Sequence, residues 1–373
     1  MLVCDRGCDT FHCGIFLVVY GLGMKIRLFF GSVVMVGSMA MGVSAKEYPS
    51  LPSKVLSEYV PAKVDASAKN RAAAGKAFLA SLDEKLKAQA ALKMDSDERQ
   101  KWTNVPPRGP QGGVRFGDLN EAQMKKAMKL LSAVLSEQGY AKVRNIPLAD
   151  DRLLRNGKRR PGFGAEDFWL AIFGTPSETE PWAIQVDGHH LALNLTMNGE
   201  KMSLSPSFIG TQPRMFLLGD KKVEVIQPKA DLGHELAMSL TDEQKKKAVI
   251  SKKRGRIQTA AGKDGIIPKL DGISCALLDA KQKKILIELM RAYVADLPEP
   301  AKTARMKELE KEIPNMHYSW KGPAPKGSDM SYKLQGPSVI IEYACQSLGG
   351  DPLNHVHSMY RNPKNEYGVG IVK

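Results

Sequence analysis

The sequence predicts an α+β fold, a mainly antiparallel sheet with flanking α-helices. Three observations carry this. Helix-like and strand-like stretches come in blocks (helices, strands, helices, strands) without the strand–helix alternation of a parallel sheet. Short β-rich runs in the middle are separated by Asp187-Gly188 and Asn198-Gly199, dipeptides that two-residue hairpins favour. Amphipathic segments with capping signals flank those runs.

Residues 46–62 carry Pro49, Pro52 and Pro61 and read as a polar lead-in. Residues 66–92 are rich in Ala, Lys, Glu and Leu, all strong helix formers, and read as one helix. Asp95-Ser96-Asp97-Glu98 marks a fresh helix start. Pro106, Pro107, Pro110 and Gly112-Gly113 make a loop. Residues 118–138 read as an amphipathic helix with Met124, Met128, Leu131, Val134 and Leu135 on its apolar stripe, ended by Gly139. That stripe is core packing rather than a soft-metal site.

Strands are expected at 182–186, 190–196, 201–204 and 222–226. Helix resumes at 231–240 and again after Thr241-Asp242-Glu243-Gln244, which has capping-box form. Residues 251–269, basic and glycine-bearing, read as loop. Residues 279–297 read as helix, and 316–320, 331–335, 338–343 and 355–360 as strands. The chain thus divides into a helical part, 63–175, and a mixed strand and helix part, 176–373, within one domain spanning 46–373. The two strand blocks are expected to join in one sheet.

The beginning of the chain reads as a leader. Met24-Lys25-Ile26-Arg27 is a positive segment, residues 28–43 are apolar, and Val43-Ser44-Ala45 is a small-residue cleavage site. Residues 1–45 are therefore expected to be an upstream extension plus signal peptide, and the protein to be exported, periplasmic or secreted. A membrane span from about Gly14 to Val43 would have to bury Lys25 and Arg27, at high cost. No cysteine stands directly after the cleavage site, where Lys46 is found, so no stable membrane anchor is expected after leader removal.

The whole chain carries 54 Lys and Arg against 40 Asp and Glu, a formal charge of +14. Losing three basic and two acidic residues with the leader brings this to +13. A basic exported protein suits anionic or small-molecule partners. Nucleic acid is not expected, because the basic stretches 152–160 and 245–256 have few interleaved aromatics and no recognition motif is present. Of five cysteines, Cys275 and Cys345 follow the leader. A disulfide between them and two buried thiols are equally compatible with the sequence.

Familiar catalytic signatures are absent: no phosphate-binding glycine loop, no nucleophile elbow, no His-Glu-x-x-His and no Cys-x-x-Cys. What remains is histidine. His355 and His357 stand at i and i+2, a spacing that places both imidazoles on one face of a strand. His189 and His190 lie in another strand-like stretch. Being adjacent, they face opposite sides, so one of them is expected to join the first pair, and the spacing does not say which. Neutral imidazole is a common metal ligand. Glu342 interrupts the apolar run 339–344, where a carboxylate is costly unless paired or coordinating. Two histidines with a carboxylate would suit a facial triad, three histidines zinc or copper. Arg361 is a fixed cation near the pair, able to face an anion. His234 and His317 read as structural.

The segment Pro181-Trp182-Ala183-Ile184-Gln185-Val186-Asp187-Gly188-His189-His190-Leu191-Ala192-Leu193-Asn194, the strand at 338–343, and His355-Val356-His357 through Tyr367-Gly368 resemble a bacterial exported family catalogued as domain of unknown function 3500. Ile172-Phe173-Gly174-Thr175-Pro176, Phe208-Ile209-Gly210 and His317-Tyr318-Ser319-Trp320-Lys321-Gly322 match it too. The resemblance covers nearly all of the chain after the leader. It implies one contiguous domain and export, and it supplies no reaction.

The expectation is an exported metal-binding protein, a metal-dependent hydrolase or oxidoreductase. His355, His357 and one of His189 or His190 would hold zinc, copper or iron. Glu342 would be a ligand or general base, and Arg361 would orient an anionic substrate. The alternative is a metal-free envelope binding or structural protein whose histidines are structural.

Overall fold

A computed structural model describes residues 49–63, 65–154 and 158–372. The expected leader lies outside the described residues. The helices are α1 (Leu51–Glu58), α2 (Ala68–Leu79), α3 (Glu84–Ala90), α4 (Glu121–Val134), α5 (Glu137–Asp150), α6 (Gln227–Ser239), α7 (Asp242–Ala248), α8 (Ala280–Val294) and α9 (Glu299–Glu312). The strands are β1 (Ala91–Leu92), β2 (Val114–Arg115), β3 (Phe168–Phe173), β4 (Trp182–Gly188), β5 (Leu191–Asn198), β6 (Lys201–Thr211), β7 (Met215–Leu218), β8 (Lys221–Glu224), β9 (Val249–Ser251), β10 (Ile273–Ser274), β11 (His317–Lys321), β12 (Ser331–Gly336), β13 (Val339–Cys345) and β14 (Val356–Arg361). No described helix is long and apolar enough to cross a membrane.

The fold is α+β with a large, mainly antiparallel sheet. Its strands run β1-β3-β4-β5-β6-β14-β13-β12-β11-β10, with β2 beside β3 and β9 beside β11. Only the short β1–β3 and β9–β11 contacts are parallel. The two strand blocks meet where β6 pairs with β14, Gly210 opposite His357 and Phe208 opposite Met359. The two strand blocks thus join in one sheet, as the pattern predicts, while β7 and β8 pair with each other as a separate two-stranded sheet.

The two faces of the sheet differ. One packs Leu170, Ile184, Val186, Leu193, Ile341 and Tyr360 against helices that contribute Met128, Leu131, Leu286 and Leu289 to a single core. The other carries Gln185, Asp187, Lys333, Glu342 and Arg361, all buried, beside a small cluster of Trp102, Ala192, Phe208, Met359 and Tyr367. Irregular segments cover this second face. Burial on both sides removes the alternation that a half-exposed strand shows, so β4 and β13 are buried throughout.

Local chemistry explains most boundaries. Thr241 and Asp279 form capping boxes with Gln244 and Gln282. Other boundaries differ from expectation. The 66–92 stretch is two helices, because Asp83 caps a new one by accepting from the Leu86 N–H at 2.8 Å. The Asp95–Glu98 signal yields a short 3₁₀ turn, Asp97–Gln100. Gly139 does not end a helix. The chain breaks at Leu135, and Ser136 caps α5 with its hydroxyl on the Gly139 N–H at 3.0 Å. Gly139 is needed for a different reason: a Cβ there would stand 2.7 Å from the Asp296 carbonyl oxygen. β3 lies within the stretch read as helical. Its six residues, Phe-Trp-Leu-Ala-Ile-Phe, form a continuous apolar run without periodicity, which helix and buried strand share. Cys275 and Cys345 are both free and buried, and burial pushes the Cys275 thiol up to about 12.

Replacing Gly139 by Ala should therefore destabilise the fold by about 1–3 kcal/mol through overpacking against α8's end. Gly109→Ala, with nothing near its Cβ, should melt like the parent. Thermal melts of both variants check this pair.

Asp187 yields a pH prediction. It is 1% exposed, accepts the Thr103 N–H at 2.8 Å through Oδ2, and leaves Oδ1 without a partner. Burial pushes its pKa up to about 7, against about 3.9 unfolded. The folded chain therefore holds this proton longer than the unfolded chain. Its contribution to stability is full below pH about 4 and falls as pH rises through about 7, by up to about 4 kcal/mol. Asp187→Asn should flatten that part of the stability profile in denaturant titrations across this range. An unchanged slope would remove Asp187 as its source.

Candidate metal centre

The β4–β5 hairpin turns on two residues, His189 and His190, since Gly188 pairs with Leu191. The turn thus falls two residues beyond the expected Asp187-Gly188. Gly188 stays within β4, where a side chain would strike the Phe168 ring at 2.6 Å. Closing the turn puts His190 at φ +69°, a left-handed conformation that is uncommon for non-glycine residues. Backbone in such a region concentrates at functional sites.

That turn aims His190 sideways, across β6, toward β14. Two strand spacings separate β5 from β14, roughly 10 Å. The imidazoles bridge this distance because Gly210 lies between them. Its missing side chain leaves a floor on which both rings rest: a Cβ there would stand 2.7 Å from His357 Cδ2 and 2.9 Å from His190 Cδ2. The Gly210 N–H also donates to the His190 carbonyl at 2.6 Å, tying turn to strand.

Three imidazoles converge here. His190 Nε2 lies 2.9 Å from His355 Nε2, across 165 residues of chain, and His355 Nε2 lies 3.0 Å from His357 Nε2. The ligand atoms of His190, His355 and His357 all fall within 4.8 Å of one another. His190 and His355 are buried and His357 is half-buried. Tetrahedral ligation with metal–nitrogen bonds of 2.0–2.1 Å places ligand nitrogens about 3.3 Å apart. The group reaches that spacing by opening a few tenths of an ångström, so it is able to hold a metal ion.

The ligand state is prepared as well. His355 Nδ1 donates to the Leu348 carbonyl at 2.6 Å, which leaves the Nε2 lone pair facing the other rings. Burial, then the neighbouring imidazoles, hold His190 and His357 well below the ordinary histidine range. His355 is lowered too, by burial, against the opposing Leu348 hydrogen bond. Neutral rings are the ligating form.

His189, the other half of the pair, does not join. It stacks on His190, with ring centroids 3.7 Å apart, and its Nδ1 meets Asp150 Oδ1 at 2.6 Å. Asp150 also accepts the Gly164 N–H at 2.7 Å and stands at the C-terminal end of α5. Asp150, His189 and His190 form a second group of potential ligand atoms within the same 4.8 Å limit. The stacked rings suit a support for His190 better than a shared ion, because parallel imidazoles cannot both aim lone pairs at one point.

Glu342 and Arg361 share the sheet face of His357 but are not brought to the imidazoles. Glu342 pairs with Met359 across the ladder. Its carboxylate accepts the Gln258 and Thr259 N–H groups at 2.9 and 3.0 Å and the Thr259 hydroxyl at 2.5 Å. Burial raises its pKa, and these hydrogen bonds oppose the rise. Arg361, four residues beyond His357, holds both carboxylate oxygens of Glu366 and donates to the Lys263 carbonyl at 2.6 Å. Both residues anchor the segment that covers this face. His234 bonds the Ala324 carbonyl at 2.9 Å and lies apart from the group, as does His317 on β11.

Asp150 and the Leu348 carbonyl carry no sequence signal of their own, and Gly210 stands out only within the matching segment Phe208-Ile209-Gly210. Asp150 is 39 residues from His189, and a backbone carbonyl has no residue type.

Gly210→Ala should force His190 and His357 apart and destabilise the protein by about 1–3 kcal/mol. It should also shift the ring resonances of these two histidines while leaving His234 in place, as read by NMR of histidine-labelled protein.

The family described as protein of unknown function (DUF3500) matches residues 64–369, and the chain belongs to it. No curated protein matches the chain, and no solved structure does.

Proposed function

We propose that this exported-type family member is a three-histidine metal protein, with His190, His355 and His357 as ligands and a coordination position left open for chemistry. The observation that carries the reading is the convergence of three Nε2 atoms from the β4–β5 turn and β14, with His355 fixed in the ligating tautomer. Zinc fits three neutral imidazoles and a fourth, exchangeable position. Copper and iron accept imidazole as well. Bound there, such an ion supplies Lewis acidity for hydrolysis or, as copper or iron, redox chemistry on a small or anionic substrate.

The protein's own residues have separate tasks. Gly210 sets the distance between rings, and the Leu348 carbonyl fixes His355. His189, held by Asp150, backs His190. His357, the most exposed of the three, is where a substrate would approach. The signal-like 1–45 stretch supports export to the periplasm or beyond, and the basic charge suits an anionic partner.

A second reading also has an observation in its favour. Contacts of 2.9 and 3.0 Å between ring nitrogens suit N–H···N hydrogen bonds. On that reading the chain is a metal-free envelope binding or structural protein.

Elemental analysis of protein purified without a histidine tag separates the two. About one equivalent of a transition metal per chain is expected. The metal should be absent from the His355→Ala/His357→Ala variant, and a chelator should lower the melting temperature of the parent alone. Metal-free protein whose melting is indifferent to chelator would overturn the metal reading.

A further inference from the structure

We propose that Lys229 is a nucleophilic amine that forms an imine with a small carbonyl compound admitted to the cavity beside it. This site is independent of the histidines. Ser358, which touches Lys229, lies next to His357 on β14 but faces the opposite side of the sheet, with Val356 and Tyr360.

Lys229 sits in the first turn of α6 and is 4% exposed. Its Nζ donates to Ser358 Oγ at 3.1 Å and stands 4.3 Å over the Tyr293 ring. Among the described residues no carboxylate forms an ion pair with it. Asp296 instead holds the Lys142 ammonium at 2.5 Å. An ammonium has three donors to satisfy, and here one hydroxyl and one ring face are available. A neutral amine fits the site better, and a neutral amine is the nucleophile.

The surroundings favour that form. Burial and the Lys142 cation pull the amine well below the ordinary lysine range, with Asp296 opposing. The positive end of α6 acts in the same direction as Lys142. The backbone of Lys229 is fixed: its carbonyl accepts the Tyr332 hydroxyl at 2.8 Å and its N–H donates to Ile226. Tyr332 in turn bonds Tyr293 at 2.9 Å, so the ring beneath the amine is held as well.

A cavity of about 240 Å³ lies alongside, lined by Lys229, Lys142, Gln138, Asn145, Glu224 and Ile226. It is smaller than sites for drug-sized ligands and suits a compound of few heavy atoms. Lys142 and Asn145 offer donors to a carbonyl or carboxylate oxygen. The class is therefore a simple aldehyde or a 2-oxo acid.

The step balances without a redox partner. The amine lone pair adds to the carbonyl carbon, and a proton moves from nitrogen to the new alkoxide. The resulting hydroxyl then leaves as water, taking one proton, and a carbon–nitrogen double bond remains.

Glyoxylate with cyanoborohydride tests this on the full-length protein at neutral pH. Hydride from the reagent and a proton from water convert the imine to a stable secondary amine, and peptide mapping locates it. Lys229 should be labelled at least about tenfold faster than exposed lysines such as Lys246, because the neutral amine is the nucleophile. Lys229→Met should lose that label and keep the others. In guanidinium the preference should vanish. Labelling of exposed lysines with Lys229 untouched in the folded protein would overturn the proposal, as would a preference that persists after unfolding. If Lys229→Met fails to fold, the order of labelling in the parent decides alone.

Discussion

One antiparallel ladder, Ser207–Thr211 of β6 against Val356–Tyr360 of β14, is the contact on which the rest of the molecule depends. It joins the β3–β6 meander to the β11–β13 meander and makes one sheet of two. Without it each half would present an unpaired edge, a feature that invites pairing with other chains. With it, both faces of the sheet can be covered along their whole length. The same ladder sets Gly210 beside His357 and so places the hairpin turn of β4–β5 within reach of β14. Fold closure and the imidazole cluster are consequences of one register.

The covered sheet divides its labour by face. The helical face is apolar and supplies most of the burial that stabilises the domain. The opposite face carries charged and amide side chains that must be satisfied where they lie, because a buried polar group without a partner is costly. Irregular segments meet that requirement. Glu342 takes two N–H groups and a hydroxyl from Gln258 and Thr259, and Arg361 takes carbonyls and a carboxylate from Lys263 and Glu366. The Tyr367 hydroxyl links Trp102 to Asp264, joining two of the covering segments. These polar residues hold loops where another fold would place helices.

Much of this was legible in the residues. The blocks of helix and strand, the capping boxes at Thr241 and Asp279 and the joining of two strand blocks follow from local chemistry and pattern. One adjacent histidine does join the His-x-His, though from the β4–β5 turn rather than from a strand, and its neighbour stacks on it instead of facing away. Several misreadings turn on a contact distant in sequence. Gly139 reads as a helix end, yet it serves the close approach of Asp296. Asp187-Gly188 reads as a turn, yet Phe168 keeps Gly188 in the strand and moves the turn onto the histidines. Glu342 and Arg361 read as chemistry because buried charge is costly, and the loop that satisfies them lies up to 102 residues away. Asp150 has no local mark at all.

The left-handed turn at His190 bears on the order of assembly. Its imidazole meets His355 only after a segment of 165 residues has been looped and zipped, and contacts that distant form late and slowly. In small zinc-folded domains the ligands are close in sequence and the ion organises the chain. Here the three imidazoles do not exist as a set until the sheet has closed, so the proposed ion would meet a folded protein. Loading of the proposed ion would then follow folding and depend on the ions offered to the folded chain.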